Sequence, residues 1–286
     1  MRGQLGQMLF YFVFLSQVLL ISFYFPRKIL GRVKHVVEKY PPSAYPRLYP
    51  VSLDVTKKAQ RTYWIMNLFA LLVGIVLVFV GLWWPSEDML HWDSESVLLI
   101  YLLLQYSPMI IAATAGFTYF NLMRKADSRS TRKAELRRRS VLDFVSPAVL
   151  GLAIFVYVAF VLVIVYVRQF EFPWFGGYSN IVGITVANLV FAGVIVHNLY
   201  GKKKDPYQAY EDRARQIGVT IRGLVWTSIL ATAFVALSIG LAAFDLRHLQ
   251  PITLSLYFQV LAVITFRATR IDDVNFEVYR EDPLAT

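Results

Sequence analysis

The sequence predicts an all-α integral membrane protein: a bundle of seven transmembrane helices, the seventh marginal, with the N-terminus out and the C-terminus in. Three observations predict this. Seven apolar stretches divide the chain, and none carries a Lys, Arg, Asp or Glu. The connections between them alternate in charge, and 26 of the 29 Lys and Arg fall in 26–63, 124–144, 201–223 and the tail 267–286. Only Arg2, Arg168 and Arg247 lie on the other side. Loops rich in Lys and Arg stay in the cytoplasm, so the alternation sets the orientation. The tryptophans mark the boundaries: Trp64 and Trp226 at inner ends, Trp83 and Trp84 at an outer end, Trp92 and Trp174 in outer loops. Amphipathic rings in such positions form a belt at headgroup level.

Each span is justified by length. A hydrocarbon core of ~30 Å is crossed by about 20 mainly apolar residues at 1.5 Å per residue. Residues 5–25, 64–84, 97–123, 145–167, 181–200 and 224–244 meet that requirement. The first has too long an apolar run for a signal peptide and no A-x-A-like site, so it is expected to be a retained helix. Residues 251–266 are short for a span, and a re-entrant segment is the alternative; Arg267 and Arg270 follow at once, as a cytoplasmic stop requires.

The chain is read as one polytopic domain, 1–286, with its longest connection at 26–63 and a short inner tail at 267–286. Within 27–40, Leu30, Val33, Val37 and Tyr40 recur at helical spacing, with Lys28, Arg32, Lys34 and Lys39 between them. This pattern predicts a basic amphipathic helix lying on the inner leaflet, its lysines reaching phosphates. Pro41, Pro42, Pro46 and Pro50, interleaved with Tyr40, Tyr45 and Tyr49, then predict a stiff extended segment over 40–50. Asp54 is placed to cap a helix running through Lys57, Lys58 and Arg61 into the second span. Arg137, Arg138 and Arg139 in the second connection, and Lys202, Lys203 and Lys204 in the third, are candidate clamps for an anionic headgroup or phosphorylated ligand. The simpler reading makes them topology determinants alone.

Several function classes drop out. The formal charge of +10 could signal nucleic acid, but short juxtamembrane connections near anionic lipid explain it better, and no nucleic-acid partner is expected. The absence of cysteine removes disulfides, thiolate metal sites and cysteine nucleophiles. The absence of an Asn-x-Ser/Thr sequon favours a bacterial inner membrane over the secretory pathway. Proton relays, voltage sensors and retinal-type Schiff bases need an ionisable residue inside a span, and none is there. His197 with Asp205 or Asp212 could act as an interfacial base, yet the macrodipole already favours a histidine at a helix C-terminus. No catalytic residue, cofactor or metal site is assigned.

What remains in the bilayer is neutral. Gln17, Asn188 and Gln259 fall near the centres of the first, fifth and seventh spans, and Gln105 precedes Ser107 and Pro108 in the third. These amides either line a polar site or hydrogen-bond helices together. Small-xxx-small pairs at Ala112/Gly116, Gly183/Ala187 and Ala236/Gly240 point to close helix packing. The leading reading is a non-enzymatic subunit or docking platform of a membrane complex, in contact with anionic lipid and with other subunits or a second copy. The alternative is a small transporter or channel for a neutral or amphipathic solute, and a membrane enzyme at the cytoplasmic interface stands third. Reporter fusions after Lys204 and Arg280 should report cytoplasm, and a fusion within 87–95 the exterior. A C-terminal reporter found outside removes the seventh span.

Overall fold

A computed structural model describes residues 2–83, 95–127, 139–201, 204–267, 269 and 274–280. Residues 85–94 of the expected outer loop over 85–96, Trp84 and Trp92 of the aromatic belt, the pairs Arg137/Arg138 and Lys202/Lys203, and Arg270 lie outside the described residues. Every regular element described is helical. The order is α1 (Arg2–Leu19), a π-helical turn (Leu20–Tyr24), α2 (Phe25–Lys39), α3 (Leu53–Trp83), α4 (Glu95–Ala126), α5 (Pro147–Val167), α6 (Ser179–Tyr200), α7 (Tyr210–Ala243) and α8 (Gln250–Arg267). Among the described residues, seven helical stretches are long and apolar enough to cross a membrane. The marginal seventh is an unbroken helix, α8 with the turn before it. Large apolar side chains stand exposed along the spans, among them Leu72, Phe155, Leu162 and Leu189. That surface suits hydrocarbon and not water.

The chain folds as two units. The first contains residues 1–10, 135–202 and 213–268, hence α5, α6, α8 and nearly all of α7. Ser146 caps α5 by accepting from the Val149 amide, and Pro147 fills the first turn, where a missing N–H costs nothing. Phe160, Ile164, Val167 and Ile239 form one core; Val145, Leu199, Ile217, Ile221, Val225 and Ile229 form another. Two lone arginines stand on aromatic rings, Arg168 over Tyr178 at 3.9 Å and Arg247 over Trp174 at 4.8 Å. Cation–π contact makes such charges tolerable beside apolar surface.

The second unit contains residues 11–134, 203–212 and 269–286, built on α1–α2, α3 and α4. The sequence leads one to expect a separate amphipathic helix over 27–40. Instead α1, the π turn and α2 form one helical stretch over Gly6–Lys39, all three junction residues lying in the right-handed helical region. Its apolar residues Ile29, Leu30, Val33, Val36 and Val37 are half-buried, and α2 packs along α3. Residues 25–39 therefore form one helical stretch with α1 and not a separate helix. Residues 40–50 also differ from the expected extended segment. They make a turn and the 3-10 helix Pro46–Leu48, closed by the Tyr49 hydroxyl donating to the Tyr40 carbonyl at 2.6 Å.

The small-residue pairs are not where backbones approach. A Cβ placed on Gly116, Gly183 or Gly240 would meet nothing within 4 Å. The close contacts fall at Gly74 and Gly81 of α3, against Tyr101 and Val18, and against Tyr11. At Gly74 a Cβ would come within 2.8 Å of the Val18 methyls and closer still to the Tyr101 hydroxyl. Gly74→Ala should destabilise the protein by about 1–3 kcal/mol through overpacking. Gly183→Ala should be neutral or stabilising by up to ~1 kcal/mol from helix propensity. Reversible unfolding in mixed micelles measures both.

Candidate functional site

The polar groups expected at mid-membrane divide into two clusters. In the second unit, Gln17 of α1 and Gln105 of α4 are fully buried and face each other, Gln17 Nε2 donating to Gln105 Oε1 at 2.8 Å. The Gln105 amide nitrogen lies 3.2 Å from the Ser22 hydroxyl of the π turn and 3.4 Å from the Tyr101 hydroxyl. Tyr101 in turn donates to the Ala70 carbonyl of α3 at 3.2 Å. One connected set of hydrogen bonds thus ties three helices.

Local sequence places each member. Tyr101 and Gln105 are one turn apart on α4, so both face α1 and α3. Gly74, one turn from Ala70, leaves room for the Tyr101 ring, which also meets Phe14 edge-on at 5.2 Å. Pro108 follows Gln105 by three residues and cannot bond the Leu104 carbonyl. Ser107 Oγ satisfies that carbonyl at 2.8 Å. The π turn brings Ser22 into the same network, and π-helical turns inside α-helices concentrate at functional sites.

In the first unit, Asn188 of α6 accepts from Ser228 Oγ at 2.7 Å and lies 3.4 Å from Thr232 Oγ1, both on α7. Tyr157 of α5 and Thr185 of α6 share a bond of 2.6 Å. Gln259 is half-buried on α8 of this unit. The structure therefore brings Gln17 to Gln105, and Asn188 to two hydroxyls.

A third cluster gathers the connections in the second unit. Met123, Tyr207 and Tyr279 are buried together, with Tyr45, Leu48, Tyr119 and Phe276 packed around them. Asp205, buried, accepts from the Tyr207 amide at 2.9 Å and from the Tyr279 hydroxyl. Asp212, also buried, accepts from the Asn275 amide at 2.9 Å. Both carboxylates considered as interfacial bases thus hold the tail. Tyr119 donates to the Leu48 carbonyl, and Arg124 Nε to the Lys204 carbonyl at 3.0 Å. Burial, then the Asp205 carboxylate, raises the Tyr279 phenol above its ordinary value. Its hydrogen bond to Glu277 raises Tyr45.

The candidate anion-binding residues have separate surroundings. Lys28, Lys34 and Lys39 are exposed; Lys34 stands 3.7 Å from Glu38, and Lys39 lies over the Tyr40 ring. Arg32 donates to the Thr269 hydroxyl, Arg139 is buried, and Lys204 lies over Phe117. Sequence reasoning missed Tyr101, Ser22 and Tyr279. Tyr101 carried a signal, its one-turn offset from Gln105; the other two carried none that a single sequence displays. Comparisons with family models, with curated proteins and with solved structures give no match to this chain. The fold defines a class: an all-helical protein with seven helices, among the described residues, long and apolar enough to span a membrane.

Gln105→Leu should cost about 1–3 kcal/mol, because it strands buried partners on α1. Adding Gln17→Leu should recover part of that cost. A double-mutant cycle on unfolding in micelles reads the coupling, expected near 1 kcal/mol.

Proposed function

We propose that this protein is a non-enzymatic docking platform of a membrane complex, seated in the bacterial inner membrane with its Lys/Arg-rich end in the cytoplasm. One observation carries the reading: two helical stretches of the second unit are longer than a hydrocarbon core is thick and carry exposed basic residues toward one end. The stretch Gly6–Lys39 holds 34 residues and Leu53–Trp83 holds 31. At 1.5 Å per residue they are about 51 and 46 Å long, against ~30 Å of hydrocarbon. Phe23 and Trp64 rings, 6.1 Å apart, mark the boundary, with Arg27 and Lys28 over Phe23 and Tyr24. Headgroups add only about 5–8 Å per leaflet. Lys34 and Lys39 lie about 16 and 24 Å along the helix from Phe23, and Lys57 about 10 Å from Trp64. Arg27, Lys28 and Arg61 are placed for phosphates; the outer lysines face an aqueous partner.

The internal satisfaction of Gln17 and Gln105 supports the same reading, since an amide already paired offers nothing to a solute. Transport remains the second reading, favoured by the π turn and Pro108 flanking that pair. A photo-crosslinking residue at Lys34 or Lys57 in native membranes should give discrete protein adducts, whereas Leu162 or Leu189 should give lipid adducts. Lipid adducts alone at Lys34 and Lys57 overturn the platform.

A further inference from the structure

In the second unit the stretch Gly6–Lys39 and α3 run antiparallel, Val18 lying against Gly74 and the Phe23 ring 6.1 Å from the Trp64 ring. Arg27 follows Phe23 by one turn, and Arg61 precedes Trp64 by one turn. Both arginines therefore lie beyond the ring pair in the same direction, by about 6 and 4.5 Å at 1.5 Å per residue. Arg27 and Lys28 stand over the Phe23 and Tyr24 rings at 6.0 and 5.9 Å; both are exposed, and so is Arg61. The other arginines described in this unit are engaged. Arg32 donates to the Thr269 hydroxyl, Arg47 and Arg124 donate to carbonyls, and Arg280 stands 3.9 Å from Glu277. Among the described residues, Arg27 and Arg61 donate to no protein acceptor. The nearest acids on these two stretches are Glu38, 3.7 Å from Lys34, and Asp54. They lie about 16 and 10 Å along the helix from Arg27 and Arg61. On the other side of the ring pair the surface is apolar: Leu19 is one turn from Phe23, Leu68 and Leu72 one and two turns from Trp64, all exposed.

We propose that Arg27 and Arg61, with Lys28 beside them, bind the phosphate of one anionic phospholipid whose acyl chains follow Leu19, Leu68 and Leu72. Each guanidinium offers a fork of donors that fits two phosphate oxygens, and here neither fork is occupied by the protein. The amphipathic Trp64 ring suits the level where headgroup meets chain. A headgroup bearing an ammonium would bring a fourth cation to these three, so the lipid is one without it and carries net negative charge. A free phosphate ion gains nothing from the apolar surface, which a lipid chain covers. This lipid site rests on the proposed seating of the chain in a membrane and names the lipid class; it makes no use of the docking partner.

The test is native mass spectrometry on the full chain released from neutral detergent micelles, titrated with phosphatidylglycerol or with phosphatidylcholine of the same chains. One phosphatidylglycerol should bind about tenfold more tightly than phosphatidylcholine, and Arg27→Gln/Arg61→Gln should remove that preference. Arg222→Gln/Lys125→Gln, which removes two exposed charges elsewhere, should leave it within about twofold. Equal affinity of the native chain for the two lipids, or an equal loss in both double variants, overturns the site. Excess inorganic phosphate should leave the lipid bound, and release of the lipid by phosphate overturns the lipid assignment. The comparison of the two lipids needs the native chain alone, so it decides even where a variant fails to fold. Crosslinking from Lys34 and Lys57 reads protein adducts instead, so a failed lipid site and a failed platform give different results.

Discussion

Gln105 must find every partner of its amide inside the protein, because hydrocarbon offers none, and the second unit is arranged around that requirement. Its oxygen accepts from Gln17 and its nitrogen reaches Ser22 and Tyr101, so one side chain touches α1, the π turn and α4. Through Tyr101 the set continues to the Ala70 carbonyl and hence to α3. An unsatisfied buried amide costs several kcal/mol in hydrocarbon. Alternative packings that part these helices are penalised by that amount, whereas sliding apolar faces would be nearly free between Leu-like surfaces and lipid. Gly74 follows from this, since a larger residue would push the Tyr101 hydroxyl out of position.

Helix length does the rest. α5, α6 and the α8 stretch hold 21, 22 and 21 residues, about the width of the hydrocarbon, while the stretches of α1–α2, α3, α4 and α7 hold 30 to 34. The length in excess of a hydrocarbon core carries lysines and arginines. In the second unit the turn at 40–50, the loop at 204–207 and the tail pack together at that end. Tyr119 and Arg124 of α4 fix this packing through the carbonyls of Leu48 and Lys204.

The spans were legible in the sequence because hydropathy and charge exclusion are local and strong; the structure places helices on all seven apolar stretches. The polar pairing was legible in part. Gln17 and Gln105 stood out as amides in apolar runs, but depth in a span does not say which helix lies opposite. Asn188 turns to Ser228 and Thr232 because α7 presents hydroxyls one turn apart. The π turn was not legible at all: Leu20–Tyr24 reads as ordinary apolar helix, and only the register of Ser22 against Gln105 distinguishes it. Small-residue pairs misled for a physical reason. Gly or Ala permits close approach without attracting a neighbour, so Gly183 and Gly240 stay open while Gly74 closes on a tyrosine that needs a partner. The tail was misleading in another way, since its packing depends on Asp205 and Asp212, remote in sequence and outside any periodic pattern.

The two polar clusters are not equivalent. Gln17, Gln105 and Ser22 are wholly enclosed, and each bond is to a group on another turn or helix. Asn188 and Thr185 of α6 and Ser228 of α7 are only partly buried, and the apolar side chains of α6 mostly face outward. Thr185 and Thr232 also donate to carbonyls of their own helices, so losing an interhelical bond there leaves little unsatisfied. Interhelical bonds of that kind are worth about 0.6 kcal/mol on average in membranes. The enclosed amide pair has no such fallback, and the cost of parting it is correspondingly larger. Cohesion in the second unit is therefore specific and stiff around the Gln17–Gln105 pair. In the first unit it is distributed over weaker contacts.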